Sequence, residues 1–158
     1  EVIRGKTAML FEASTHSAAA LAGATPEQCE ALRTFGDHLG VAFQLVDDLL
    51  DYKGDAETLG KNVGDDLAEG KPTLPLIYTM REGTSEQAAL VRKAIQKGGI
   101  EDLENIREAV EASGSLEYTA QLARDYVARA IKCLDALPAS EYRDALVELS
   151  EFAVARTH

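Results

Sequence analysis

Three aspartates within five positions carry the most chemistry in this chain. Asp47, Asp48 and Asp51 lie in the stretch Phe43-Gln44-Leu45-Val46-Asp47-Asp48-Leu49-Leu50-Asp51-Tyr52. On a helix, Asp47 and Asp51 project from one face a turn apart, and Asp48 is rotated by about 100° from Asp47. Such neighbouring like charges repel by a few tenths of a kcal/mol per surface pair. An oxygen-ligated Mg²⁺ would remove that penalty and bind diphosphate oxygens opposite the carboxylates. A solvated acidic helix face would produce the same triplet in a chain with 27 acidic residues. Two features favour a site. The aspartates stand amid Leu45, Val46, Leu49 and Leu50, and they precede Lys61 and Lys71, each beside a glycine and able to neutralise a diphosphate.

The elements that must position these groups are helical. Residues 1–22 predict one helix, with Val2, Ala8, Met9, Ala13, Ala20 and Leu21 at spacings that suit a buried face and Gly23 as its stop. Thr25-Pro26-Glu27 combines a cap, a proline at the first helical position and an acidic first turn. The helix it opens is expected from Pro26 to about Lys53, with Leu32, Phe35, Leu39, Phe43, Val46 and Leu50 three or four apart. Gly36 and Gly40 inside it cost stability, and so point to close helix contact or room for a ligand. From Gly54 to Lys71 the periodicity breaks down, with short polar helix around Asp65–Glu69; loops of that length are usually functional or disordered. Helices are then expected over 73–81 with Thr73 as a candidate cap, 85–97 stopped by Gly98-Gly99, 100–112, 114–136 ended by Pro138, and 139–155. No internal repeat or second domain is visible, so residues 1–158 read as a single helical domain.

Composition agrees with an all-α class. Ala, Leu, Glu and Gln are frequent, only four prolines interrupt them and Trp is absent. With 158 residues the chain can bury a core without crosslinks. A net charge of −11 argues against nucleic acid or an anionic membrane as partner. It does not argue against a phosphate substrate, because a bound divalent ion inverts the local field. No apolar run of about 18 residues exists, so no stable membrane insertion is expected. Cys29 and Cys133 read as two apolar thiols rather than a disulfide, and the expected location is cytoplasmic. The chain opens at Glu1 in what already reads as a helix, without a signal segment, and a missing amino-terminal portion is expected.

The pattern Phe-Gln-x-x-Asp-Asp-x-x-Asp, followed about ten residues later by Gly60-Lys61-x-x-Gly64-x-Asp66 and then Gly70-Lys71-Pro72-Thr73-Leu74-Pro75, resembles the second half of the trans-prenyltransferases. These are the polyprenyl diphosphate synthases of the all-helical isoprenoid synthase fold, and the similarity covers the whole chain. Its wording is nearest to octaprenyl and related long-chain bacterial enzymes that make quinone side chains. The resemblance implies a Mg²⁺-dependent transferase of isoprenoid biosynthesis, a homodimer, that elongates an allylic diphosphate with isopentenyl diphosphate. Asp47, Asp48 and Asp51 would ligate the metal that holds the allylic diphosphate. Lys6-Thr7 matches a lysine-threonine pair on the preceding helix; Lys6 would contact the diphosphate and Thr7 the reacting part of the chain. Gln44 matches a glutamine beside the allylic substrate, Lys61 a second diphosphate contact, and Lys71 a structural or supporting lysine. Asp65 and Asp66 match the acidic element that supports the lysines or metal water.

Each assignment has a plainer reading. Lys6 alone is a helix lysine, Gln44 a polar helix residue, Phe43 a core residue, and Ala13, Ala19 and Leu21 either line a groove or pack helices. The resemblance also requires a first aspartate-rich motif with paired arginines upstream, and no second Asp-Asp-x-x-Asp occurs within these residues. The chain is therefore expected to be an incomplete domain lacking its amino-terminal helices, inactive in condensation by itself and holding the allylic half of the site. Three rivals stand beside this reading: a terpene cyclase-like synthase of the same fold, a non-catalytic regulatory or interaction subunit, and an acidic helical protein without a ligand.

Overall fold

The computed structural model describes residues 3–53, 65–97 and 102–155, and every regular element among them is a helix. A π-helical turn, Arg4–Ala8, leads into α1 (Met9–Leu21), followed by α2 (Pro26–Lys53), α3 (Asp65–Ala68), α4 (Leu74–Glu82), α5 (Ser85–Lys97), α6 (Leu103–Ala112) and α7 (Ser115–Cys133). A 3₁₀ turn, Leu134–Ala136, and α8 (Glu141–Ala155) complete the order. The predicted Gly98-Gly99 stop lies outside the described residues. Two compact units partition the chain, one from the residues up to Val46 together with those from Gln121 onward, the other from Asp47–Ala120.

In the first unit, α2 begins where local chemistry dictates. The Thr25 hydroxyl accepts the Gln28 amide at 3.2 Å and the Gln28 side chain accepts the Thr25 amide at 3.1 Å, a reciprocal capping box. Upstream, α1 ends at Gly23, whose φ of 72° turns the chain left-handed while the Ala24 amide reaches back to the Ala19 carbonyl. Phe35, Leu39, Ala130, Leu134 and Ala153 form the buried core, flanked by Phe11, Leu32 and Leu146. A side chain as fully buried as Phe35 contributes roughly 1.5–3 kcal/mol by leaving water. The glycines inside α2 answer the question their spacing raised: both serve close contact. A Cβ on Gly40 would stand 2.6 Å from the Ala8 Cα, and one on Gly36 would stand 2.6 Å from the Phe11 carbonyl oxygen. Cys29 and Cys133 are free thiols, as their surroundings in sequence suggested.

The predicted continuous helix over 1–22 is revised at one place. The Met9 amide donates to the Arg4 carbonyl five residues back, so residues 4–8 form a π turn ahead of α1. Periodicity cannot report this, because the insertion is stabilised by contacts with α2 rather than by local propensity.

The second unit has its own core of Tyr52, Leu67, Leu76, Val91, Ala94, Ile106 and Val110. Helices α4, α5 and α6 pack on one another, and α3 packs on α5. A second capping box, between Thr84 and Gln87, starts α5. Thr73 occupies the N-cap position of α4 but makes no side-chain cap bond; its hydroxyl instead faces the Tyr52 phenol at 3.4 Å.

Candidate functional site

Helix α2 carries four of the sequence-predicted site residues along its last turns, one unit holding Gln44 and the other the aspartates. In the first unit, the Thr7 hydroxyl donates to the Gln44 side-chain oxygen at 2.7 Å. Gln44 is buried and Thr7 half-buried, so this bond is partly shielded from water. Lys6, its neighbour on the π turn, is exposed. An ion pair at 3.0 Å between Arg4 and Asp37 ties the start of the same turn to α2. Phe43 stacks at a tilt on Phe11, 5.6 Å between ring centres. Both rings wall an open apolar cavity of about 290 Å³, also lined by Leu39, Leu149, Phe152 and Ala153. Of the three residues whose role was open, Ala19 is buried as packing, whereas Ala13 and Leu21 are exposed.

In the second unit, Asp48 is 4% exposed while Asp47 and Asp51 are half-buried. A carboxylate as buried as Asp48 is costly unless something compensates its charge. The electrostatic neighbourhood shows in Tyr52. Burial pushes its phenol well above the usual tyrosine range, the Thr73 contact opposes this, and Asp51, Asp66 and Asp48 add a further push. Tyr52 was not singled out from sequence, and Thr73 was singled out only as a candidate helix cap and as part of the Gly70-Lys71-Pro72-Thr73 motif.

Lys71 is placed by a glycine. Gly70 takes φ 68°, which returns the Lys71 amide to the Asp66 carbonyl at 2.9 Å. The ammonium follows, pairing with Asp66 at 3.0 Å and Glu69 at 2.5 Å, and the two carboxylates hold its pKa above the usual lysine range. Asp66 thus supports a lysine, as its motif suggested, and Asp65 opens α3. Lys61 lies outside the described residues.

Among the described residues, no group of three or more His, Cys, Asp or Glu side chains is arranged as a cation cage. That does not disqualify a Mg²⁺–diphosphate site. Mg²⁺ keeps several waters and binds through one or two carboxylates plus substrate phosphates rather than through an all-protein cage. The donor type fits, because α2 offers carboxylate oxygens to a hard cation and the buried Asp48 is a carboxylate whose charge a cation would offset.

Residues 1–113 match the family model described as polyprenyl synthetase. The chain belongs to the polyprenyl synthetase family. Among relatives of this family, octaprenyl diphosphate synthase of Escherichia coli (strain K12) is 53% identical over 156 residues, covering 98% of this chain and 48% of the relative. A solved polyprenyl synthase from Caulobacter crescentus CB15, complexed with calcium and isoprenyl diphosphate, superposes with a TM-score of 0.91 at 44% identity, over 99% of this chain and 48% of that one. Geranylgeranyl pyrophosphate synthase from Corynebacterium glutamicum, complexed with isoprenyl diphosphate and magnesium, gives 0.88 at 32% identity, over 98% and 45%. The polyprenyl synthetase chain therefore has the all-helical isoprenoid synthase fold, and it spans about half the length of the relatives it matches.

Proposed function

We propose that this chain is the carboxy-terminal half of a Mg²⁺-dependent trans-prenyltransferase and supplies the allylic-diphosphate half of its site. The whole enzyme elongates an allylic diphosphate with isopentenyl diphosphate. Its product is a long polyprenyl diphosphate, octaprenyl by the likeness to the Escherichia coli enzyme. Magnesium is taken from the donor chemistry and from the relatives solved with divalent ions. Asp47, Asp48 and Asp51 would hold the metal, which when bound neutralises the diphosphate leaving group. Lys6 and Lys61 would add fixed positive charge to the diphosphate as negative charge develops on it. Thr7, with its proton committed to Gln44, would turn hydroxyl lone pairs rather than a proton toward an allylic cation. Lys71, occupied by Asp66 and Glu69, would order the segment before α4 and contact substrate only indirectly.

The observation that carries this reading is the half-buried Thr7–Gln44 bond on the helix that continues into the aspartate triplet. A terpene cyclase-like reading gains nothing from it, and a non-catalytic subunit would have no use for the intact set. The test is calorimetric titration with geranyl S-thiolodiphosphate, a non-cleavable allylic analogue. Binding is expected with Mg²⁺, lost with EDTA and lost in an Asp47→Ala, Asp51→Ala double variant. Undiminished binding by that variant would sink the metal assignment.

A further inference from the structure

A π turn is held by its surroundings, since its own hydrogen bonding and packing are poorer than those of the α-helix it interrupts. Here three contacts hold it, all to one stripe of α2. Arg4 pairs with Asp37 at 3.0 Å, Ala8 lies backbone-close on Gly40, and Thr7 bonds Gln44 at 2.7 Å. Positions 37, 40 and 44 are spaced three and four apart, the spacing of one helix face. Arg4 is also the residue whose carbonyl accepts the π bond from Met9. Its side chain thus anchors the start of the turn, whose far end is fixed by the other two contacts. The extra residue rotates the start of the turn by roughly 100° from the register α1 would impose.

We infer that Arg4 and Asp37 are positioning residues: their ion pair locks the π turn and so sets the presentation of Lys6 and Thr7 to the diphosphate. The inference rests on the function proposed above and deepens it. Asp37 is almost buried, and the His38 ring nitrogen lies 3.5 Å from the same carboxylate oxygen. Arg4 is mostly exposed. An ion pair with one exposed partner has only modest leverage on global stability, which separates a positioning effect from a structural one.

The test reads two quantities on the full 158-residue chain: hydrogen exchange of the Met9 amide, and the Mg²⁺-dependent Kd of geranyl S-thiolodiphosphate. Wild-type binding is read first, and its absence counts against the proposed function independently of the turn. In Arg4→Ala and Asp37→Asn, Met9 exchange is expected to speed up and the analogue to bind more weakly, each by about fivefold. Exchange in the middle of α2 should stay as in wild type. Arg4→Lys, and the exchange of the two charges by Arg4→Asp with Asp37→Arg, should restore both readings. Unchanged Met9 exchange in Arg4→Ala overturns the lock. Faster exchange with an unchanged Kd overturns the positioning role, and faster exchange throughout α1 and α2 shows a general brace instead.

Discussion

Gln44 illustrates how much a single side chain decides. It is buried beside apolar neighbours, and its side-chain oxygen accepts the Thr7 proton. Replacing it by leucine leaves a half-buried hydroxyl without that acceptor, at a cost of ~1–3 kcal/mol. Urea unfolding of Gln44→Leu should show this loss, and adding Thr7→Val should recover part of it by removing the stranded hydroxyl, without recovering analogue binding. A second residue-scale effect concerns His38, whose ring meets Tyr126 edge-on at 5.6 Å. Burial lowers its pKa below the ordinary 6.5, Asp37 opposes that, and Arg129 and Arg4 reinforce it. The folded protein therefore takes up this proton less readily than the unfolded chain. Stability owed to neutral His38 is fully present above the unfolded value and is lost as pH falls through the window below it. Urea midpoints measured between about pH 7.5 and 5.5 should fall on acidification, and His38→Gln should flatten the slope.

At the scale of elements, the two glycines of α2 matter through what they leave out. Gly40→Ala would place a methyl against the Ala8 backbone at 2.6 Å and push the π turn away from α2. A destabilisation of ~1–3 kcal/mol is expected from such overpacking, visible as a lower denaturant midpoint with an unchanged slope. Gly5→Ala is the contrasting case. No atom lies within 4 Å of the Cβ it would add, so the same methyl there should be neutral or stabilise by up to ~1 kcal/mol. The start of α2 and the end of α1 were legible beforehand. Thr25-Pro26 and Gly23 act within a few residues of themselves, and so a local reading suffices. The π turn was not legible, since the residues that hold it lie 33 and 37 positions away.

At the scale of the whole molecule, the first unit exposes large apolar side chains. Met9, Leu10 and Leu21 on α1 and Leu149 and Phe152 on α8 are more than half open to solvent. Exposed apolar side chains of this size favour association. Sedimentation velocity should therefore show concentration-dependent self-association, reduced by Leu10→Lys and Leu149→Lys. The chain alone is expected to bind the allylic analogue yet to add no isopentenyl unit, read as an absence of radiolabelled product. An elongated product from the isolated chain would overturn the division of the site between two halves. The described residues contain no helix long and apolar enough to cross a membrane.

The sequence by itself determined the helical class, nearly every helix boundary and the family. These depend on periodicity, caps and motif spacing, all of which act over one or two turns of chain. It also singled out Thr7, Gln44 and Asp66 as residue types suited to a site. Only the tertiary structure decided their partners: Thr7 with Gln44, Arg4 with Asp37, Lys71 with Asp66 and Glu69, and Tyr52 with Thr73. Lys71 came nearest to being readable, because the left-handed Gly70 folds it back over only five residues. The other pairings depend on which face of one helix meets which face of another. That choice is made by buried area and by where a missing Cβ lets two backbones touch, and neither is a local property of the chain.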